Sequence, residues 1–561
     1  MENTRNKNKI LFISLLFLFT GCISNNDRSF TSLLLAFDNW SFIHHPETFN
    51  NFDSYIFYIK NKRGDVEYFD EYFFDLKRFG LEISQIDKGN LSRYNKNRYI
   101  SLNEKINSLL FTHYGQNYNR DPSYYIDPVN WYLLNLLLSQ DISNNDKLTL
   151  IDNTLNYLPQ YFRRSKQSLS VSNDYFIEEG LNSLDITIQL VENIPMYIDI
   201  EDTLLKSIET KISQNKKNFS SYKKWLLTKL NKTNFISQDK IASFLNDHRA
   251  NIETKYEYKD ILYSLKLNIK ELKKNIFNDA CFLYKKDMQQ DTLETYQDTL
   301  LAIAYIVDES NKKSNFNIDY ASKIINFNEQ YEEILSFIKS SNIIYDIEPT
   351  DINFPHYNMI FDNFDKSIFI INPNYKKQKI NVIINPSDRL NLSKTDISFF
   401  IIEEILTRTL YASSNSSKKI ELYNNANHYA WSKILSRIMI ENGYNAIDKN
   451  YKLIHNLNLL RDFTKILIKH EYYNGKLDKK EATNILLQDA FLDQESSNKI
   501  VLEIIYDYSK NNLEYYASYL YLDALFVRDC ILSNKISAYS FIKKIFNYGF
   551  LPVYNYKSIL N

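Results

Sequence analysis

Between Gly180 and Gly443 the chain runs for 262 residues without a glycine. Glycine is the residue that reaches left-handed backbone conformations and lets a backbone come close to a ligand. A Rossmann or P-loop phosphate cradle and a GxSxG nucleophile elbow each need glycine where a Cβ would clash, so none of them fits in that stretch. Over the whole chain, 9 Gly and 10 Pro among 561 residues fall far below the roughly 12% that these two residues usually supply. Few tight turns, with 44% hydrophobic and 24% charged residues, describe a long, mainly α-helical globular protein of two or three packing units. Its 67 Lys and Arg face 68 Asp and Glu. That is not the basic surplus by which a nucleic-acid binder neutralises phosphates, so no nucleic-acid partner is expected.

The N-terminus has its own pattern. Arg5, Lys7 and Lys9 precede the apolar run Ile10 to Phe19, which ends in Thr20, Gly21 and Cys22. A basic segment, a short apolar segment and small residues make an export signal, too short to remain as a membrane-spanning helix. LFTGC resembles the bacterial lipobox, with Phe19 where leucine is commoner. The resemblance implies cleavage before Cys22 and diacylation of its thiol, so the expected partner is membrane lipid and the expected location the bacterial cell envelope. Ordinary signal-peptidase cleavage and a retained anchor are the alternatives. Cys281 and Cys530 sit in helix-like sequence and read as two thiols rather than a disulfide.

Five segments follow: a signal over 1–21, a polar tether over 22–35, a helical region over 36–345, a β-rich insert over 346–390 and a second helical region over 391–561. Apolar residues at three- and four-residue spacing mark the helices. Pro128 is expected in the first turn of the helix holding Trp131, Ser143 or Asn144 as the cap of the next, and Leu158-Pro159 as its end. Around 360–390, SIFIINP and INVIINP flank six turn-like residues and predict a small sheet or hairpin. Thr395 or Asp396 would cap the next helix, and Asp478 with Glu481 a later one.

Chemistry is sparse. Eight histidines, His44, His45, His113, His248, His356, His428, His455 and His470, include no HExxH pair, and no CxxC occurs. Adjacent His44 and His45 point apart in any regular element. His455 and His470 read as satisfied core or surface residues.

The order of elements, a helical body, a short sheet, a helix reading IEEILTR (402–408) and a second reading NHYAW (427–431), resembles the bacterial family of unknown function DUF885. So do the segments DPSYYIDPVNWYLLNLLL, LIHNLNLLRDFTKILIKHEYYNGKLDKKEATNILLQDAFL, LEYYASYLYLDALF and FIKKIFNYGFLPV. The resemblance covers residues 36–555 and implies an elongated multi-helix fold of the HExxH-type zinc-metallopeptidase superfamily. Where such members carry a histidine-glutamate pair and a proline-glycine-histidine, this chain has Ile402 and Glu403, then Leu406, Thr407 and Arg408. Asn427 stands at a glutamate ligand, Lys469 and Tyr473 at an aspartate and a histidine, Leu477 at a tryptophan, and Tyr516 near a late tyrosine.

Zinc needs three nitrogen, sulfur or carboxylate ligands and an open position. Ile402 cannot ligate, Arg408 repels a cation, and Glu403 alone has no polarised water to deprotonate. Arg408 is better partnered by Glu404, at i,i+4. The expected protein is therefore a shell that kept the fold and lost its metal, with no catalytic residue and no cofactor. His428, Tyr429, Trp431, Tyr472, Tyr473 and Tyr516 would line the old groove, binding a peptide or a protein. A hydrolase with rearranged groups, such as His428 with Glu404, is the alternative, and a helical adaptor lipoprotein of another fold a third.

Overall fold

The computed structural model describes residues 25–45, 56, 59–60, 66–114, 117–139, 142–170, 172–198, 202–230, 258–288, 300–305, 320–344, 351–354, 368–371, 379–384, 393–413, 425–506, 512–549, 551 and 553–560. The signal and Cys22 lie outside the described residues, as do His248 and His356.

Helices make up most of the chain. The first run is α1 (Asn25–His44), α2 (Val66–Ser84), α3 (Arg93–Tyr114), α4 (Ser123–Leu138), α5 (Asn144–Ser168), α6 (Asp174–Glu192) and α7 (Asp202–Leu227). Then come α8 (Tyr258–Met288), α9 (Tyr320–Ser340) and the strands β1 (Asp351–Asn353), β2 (Ile368–Ile371) and β3 (Lys379–Ile384). After the sheet, α10 (Lys394–Phe399) continues through a π-helical turn, Phe400–Leu406, into α11 (Thr407–Ser413). The remainder is α12 (Asn425–Glu441), α13 (Tyr451–Tyr473), α14 (Lys479–Asp489), α15 (Gln494–Tyr506), α16 (Leu513–Phe526) and α17 (Ala538–Tyr548). Among the described residues no helix is long and apolar enough to cross a membrane.

The expected hairpin is present. β2 pairs antiparallel with β3, Ile368 opposite Ile384 and Ile371 opposite Asn381, and each strand stops just before an Asn-Pro, where the ladder loses a donor. β1 adds a third, parallel strand on the other edge of β3, Asp351 opposite Lys379. Three residues are too short for a periodic signal, so it was not expected.

Apolar faces gather into two large cores. One draws on residues from Phe30 to Leu226, the other on residues from Ile261 to Leu560. β3 joins them: Ile380, Val382 and Ile384 pack into the second core and Ile383 into the first, because successive side chains of a strand leave opposite faces. Residues 36–345 are thus not one packing unit, since α8 and α9 belong with the C-terminal core. Periodicity tells which face of a helix is apolar, but not which neighbour covers it.

Several boundaries move for identifiable reasons. The segment expected as a tether is helical from Asn25, with Phe30, Leu33 and Leu34 buried; the apolar spacing of TSLLLAF reaches back into the polar residues and makes them the first turns of α1. Pro128 and Pro159 sit inside α4 and α5 rather than at a start and an end. A mid-helix proline costs about 3 kcal/mol, offset here by burial of Leu158, Tyr161 and Phe162 around Pro159. Ser143 does cap α5, and Asp478 with Glu481 closes a capping box on α14. The cap of α10 is Ser393, with Asp396 as the reciprocal acid three residues on. Cys281 is buried and Cys530 half-buried, both as thiols.

Two glycines in helices give opposite forecasts. A Cβ on Gly180 would lie 2.5 Å from Pro122 Cβ, where α6 crosses α4, whereas one on Gly80 meets nothing nearer than Ile106 Cγ2 at 3.8 Å. Gly180→Ala should destabilise by about 1–3 kcal/mol through overpacking, and Gly80→Ala should stabilise by up to about 1 kcal/mol. Thermal melts of the two variants check the signs.

Candidate functional site

The π turn places Glu403 against α12. Lys433 Nζ donates to Glu403 Oε2 at 2.7 Å, and Ser436 Oγ donates to Glu403 Oε1 at 2.9 Å. Lys433 and Ser436 are three apart on one helix, so they reach the same carboxylate side by side. Ser436 Oγ also lies 2.9 Å from Tyr451 Oη; its single proton is spent on Glu403, so the tyrosine donates. On the other side of the ammonium, Asp462 Oδ2 is 4.0 Å from Lys433 Nζ and accepts from Tyr429 Oη at 3.2 Å. Side-chain exposure is 11% for Lys433 and 14% for Glu403. Burial works against the Lys433 charge, but Glu403 and Asp462 outweigh it and hold its pKa above the ordinary lysine value. Phenol ionisation of Tyr451 and Tyr429 is pushed well up by burial, so both act as neutral donors.

Beside this lies a second cluster. Arg408 Nη2 donates to Glu404 Oε2 at 3.0 Å, the i,i+4 pair the sequence favoured, and His428 Nε2 stands 3.9 Å from the same oxygen. Burial lowers the His428 pKa to about 4; Glu404 opposes the shift, while Arg408 and Lys433 assist it.

The other expected positions scatter. Ile402 is fully buried in the C-terminal core. Asn427 Nδ2 donates to the Leu551 carbonyl at 2.6 Å. Lys469 Nζ donates to Asn512 Oδ1 at 3.0 Å, and Tyr473 Oη to the Ile505 carbonyl at 2.5 Å; Tyr472 packs edge-on to Tyr473 in a small separate core. Tyr516, fully buried, meets Ser264 Oγ at 2.9 Å and Asn268 Nδ2 at 2.7 Å. Trp431 is enclosed by Tyr411, Phe546 and Tyr556. The expected groove of His428, Tyr429, Trp431, Tyr472, Tyr473 and Tyr516 is therefore not one surface. Large aromatic rings filled the space instead of lining it.

An open concavity does exist one turn farther along the same face of α12, where Arg437 and Ile440 border it. About 370 Å³ in volume, it is bounded by one stripe from each of four helices. α8 supplies Asn268 and Asn275, α12 Arg437, α13 His455 and Asn456, and α16 Tyr519 and Asp523. Arg437 is paired with Asp523 and stands 3.7 Å from Glu441. His455, 3% exposed, stacks on Phe399, and its Nδ1 is buried without a hydrogen-bond partner. Burial, reinforced by Lys433 and Arg437, lowers its pKa to about 3. His44 and His45 each meet a different tyrosine hydroxyl, Tyr68 at 2.7 Å and Tyr72 at 2.8 Å.

No family model matches the chain, and no curated protein matches it. Two solved structures share its fold. A presumed lipoprotein of unknown function from Shewanella oneidensis is 15% identical with a TM-score of 0.65, covering 96% of this chain and 100% of its own. A presumed lipoprotein from Colwellia psychrerythraea is 12% identical with a TM-score of 0.60, covering 87% of this chain and 88% of its own. The chain is thus a mainly helical body similar in fold to these bacterial proteins.

The zinc implied by the motif resemblance does not fit these residues. Ile402 offers hydrocarbon, Arg408 a cation, Asn427 a donated N–H, and the carboxylate of Glu403 already holds an ammonium. Among the described residues no group of three or more His, Cys, Asp or Glu is placed to hold a metal ion. Sequence reasoning missed Lys433, Ser436 and Asp462. The available signal was a lysine amid Trp431, Ile434 and Leu435, on a helix otherwise read as apolar there.

Removing one member of a buried pair leaves the other uncompensated, which costs about 3–5 kcal/mol. Lys433→Met should lose stability on that scale, and Lys433→Met with Glu403→Leu should lose less than the two single changes summed; urea unfolding of the four chains measures the coupling. Acid should act through the histidines. Against an unperturbed value of 6.5, the folded chain holds His428 at about 4 and His455 at about 3. Below pH 6.5 the unfolded chain binds protons that the folded chain refuses. Stability is then complete above that pH and falls on acidification by about 1.4 kcal/mol per pH unit for each histidine. His455→Leu should remove one proton's worth of that slope between about pH 6 and about pH 4, read from urea midpoints.

Proposed function

We propose that this protein is a lipid-anchored envelope protein with a DUF885-like, metallopeptidase-type shell that binds rather than cuts. One observation carries the reading. The carboxylate at the position of a peptidase's general base is engaged by Lys433 and Ser436. Both oxygens of that carboxylate accept from side chains of α12, and its side chain is only 14% exposed, so it is not presented to an open position where a reacting water would stand. Lys433, between Glu403 and Asp462, occupies the electrostatic role that a bound cation would otherwise fill. The anchor at Cys22 and the envelope location rest on the N-terminal pattern, and the fold likeness to two presumed lipoproteins agrees with them.

Binding would use the four-helix cleft. Asn268, Asn275 and Asn456 present side-chain amides there, and an amide offers both a donor and an acceptor, which is what a peptide group requires. The rearranged hydrolase retains one point in its favour, the approach of His428 to Glu404 at 3.9 Å. Arg408 already occupies that carboxylate, however, and His428 is only 8% exposed.

Metal analysis of the purified protein after dialysis against zinc, run beside a peptidase assay, tests the reading. Zinc far below one per chain and no peptide turnover are expected. About one zinc per chain surviving mild chelation, or hydrolysis abolished by Glu403→Gln, would overturn it; hydrolysis abolished by His428→Gln alone would establish the rearranged hydrolase.

A further inference from the structure

The start of α1 leaves almost no tether. From Cys22 to Asn25 is three residues, a reach of at most about 11 Å. If the Cys22 thiol carries the lipid, as proposed above and as this inference requires, the first turn of α1 stands about one Debye length from the headgroups. What the fold puts at that end then decides how the body meets the membrane.

Hydrogen bonds define the tip. Asp27 in the first turn of α1 accepts from Ser92 N at 3.1 Å, Ser92 Oγ at 3.2 Å and Asn95 Nδ2 at 2.8 Å. Phe30 packs on Tyr99 with ring centroids 6.1 Å apart. The N-termini of α1 and α3 therefore lie side by side, with the 85–92 turn that follows α2 between them. α2 runs antiparallel to α1, since Phe37 meets Phe79 and His44 meets Tyr68.

This end is basic. Residues 25–30 and 85–98 carry Arg28, Lys88, Arg93, Lys96 and Arg98 against Asp27 and Asp87, a surplus of three positive charges. Both acids are occupied, Asp27 as above and Asp87 by Gly89 N and Asn90 Nδ2. Arg28 and Lys88 are exposed, Lys96 and Arg98 half-exposed, and Arg98 lies over the ring of Tyr94, itself 36% exposed. Cations with an interfacial aromatic are the composition that suits an anionic headgroup layer.

We infer that the tip formed by the starts of α1 and α3 and the 85–92 turn docks on anionic phospholipid headgroups, fixing the orientation of the body on the membrane to which Cys22 tethers it. The cleft of α8, α12, α13 and α16 is lined by residues of the C-terminal core and shares none with this tip.

The test takes full-length protein extracted from membranes, with the state of Cys22 read by mass spectrometry. It is reconstituted into vesicles of phosphatidylcholine, with or without phosphatidylglycerol, and its lysines are acetylated in a timed reaction. Labelling of Lys88 and Lys96 should slow several-fold on the anionic vesicles while exposed Lys479 on α14 is unchanged. The protection should vanish at about 1 M salt, where the Debye length is about 3 Å. Arg28→Glu with Lys88→Glu should weaken anionic-vesicle preference by roughly fivefold or more per cation lost, with unchanged circular dichroism. Equal labelling of Lys88, Lys96 and Lys479 on both vesicles by acylated protein would overturn the docking while keeping the anchor. Unmodified Cys22 with a protected tip would overturn the anchor alone, and unmodified Cys22 with an unprotected tip both.

Discussion

One buried ammonium organises the centre of the C-terminal half. Lys433 stands between Glu403, on the π turn, and Asp462, on α13, while its own helix α12 packs along α16. Charges so little exposed persist only when they are paired and hydrogen-bonded. The pair therefore fixes the π turn, α12 and α13 relative to one another as firmly as the apolar contacts around it. Ser436, which accepts from Tyr451, donates to Glu403, and Tyr429 donates to Asp462. Each of these partners is a side chain of the same fold.

That pairing explains how these carboxylates stay buried. Surrounded by hydrocarbon alone, they would leave their charge buried without compensation. An ammonium on a neighbouring helix compensates it and keeps the helices in place. The aromatic filling around Trp431 works in the same direction: Tyr411, Phe546 and Tyr556 occupy volume that a groove would leave to a substrate, and a filled interior gains dispersion contacts that a cleft forgoes.

Much of this fold was legible in the sequence because helices announce themselves by period and caps. Ser143 and the Asp478–Glu481 box were readable residue by residue, and the Asn-Pro ends of β2 and β3 marked the sheet. Tertiary packing decided the rest. Pro128 and Pro159 punctuate a sequence strongly, yet both lie within helices because the flanking apolar residues bury well. Arg408 and Glu404 were paired correctly from spacing alone, since both lie on one continuous helical stretch. Lys433 and Glu403 are thirty residues apart on different elements, and no local rule links them. The aromatic residues expected along one groove failed for a related reason: a list of rings says nothing about whether they surround a space or fill it.

His455 shows where the same logic leaves something unspent. Lys433 and its partners satisfy one turn of α12, but the next turn of the same face, at Arg437, borders a cleft that holds a neutral imidazole with an unbonded Nδ1. An unsatisfied buried polar group costs about 1–3 kcal/mol, and a leucine there would be cheaper for folding alone. Around it stand the amides of Asn268, which donates to Tyr516, of Asn275 and of Asn456, and the Arg437–Asp523 ion pair. Along one face of a single helix, then, a hydrogen-bonded charge network at Lys433 is followed a turn later by a cleft that holds an unbonded imidazole nitrogen.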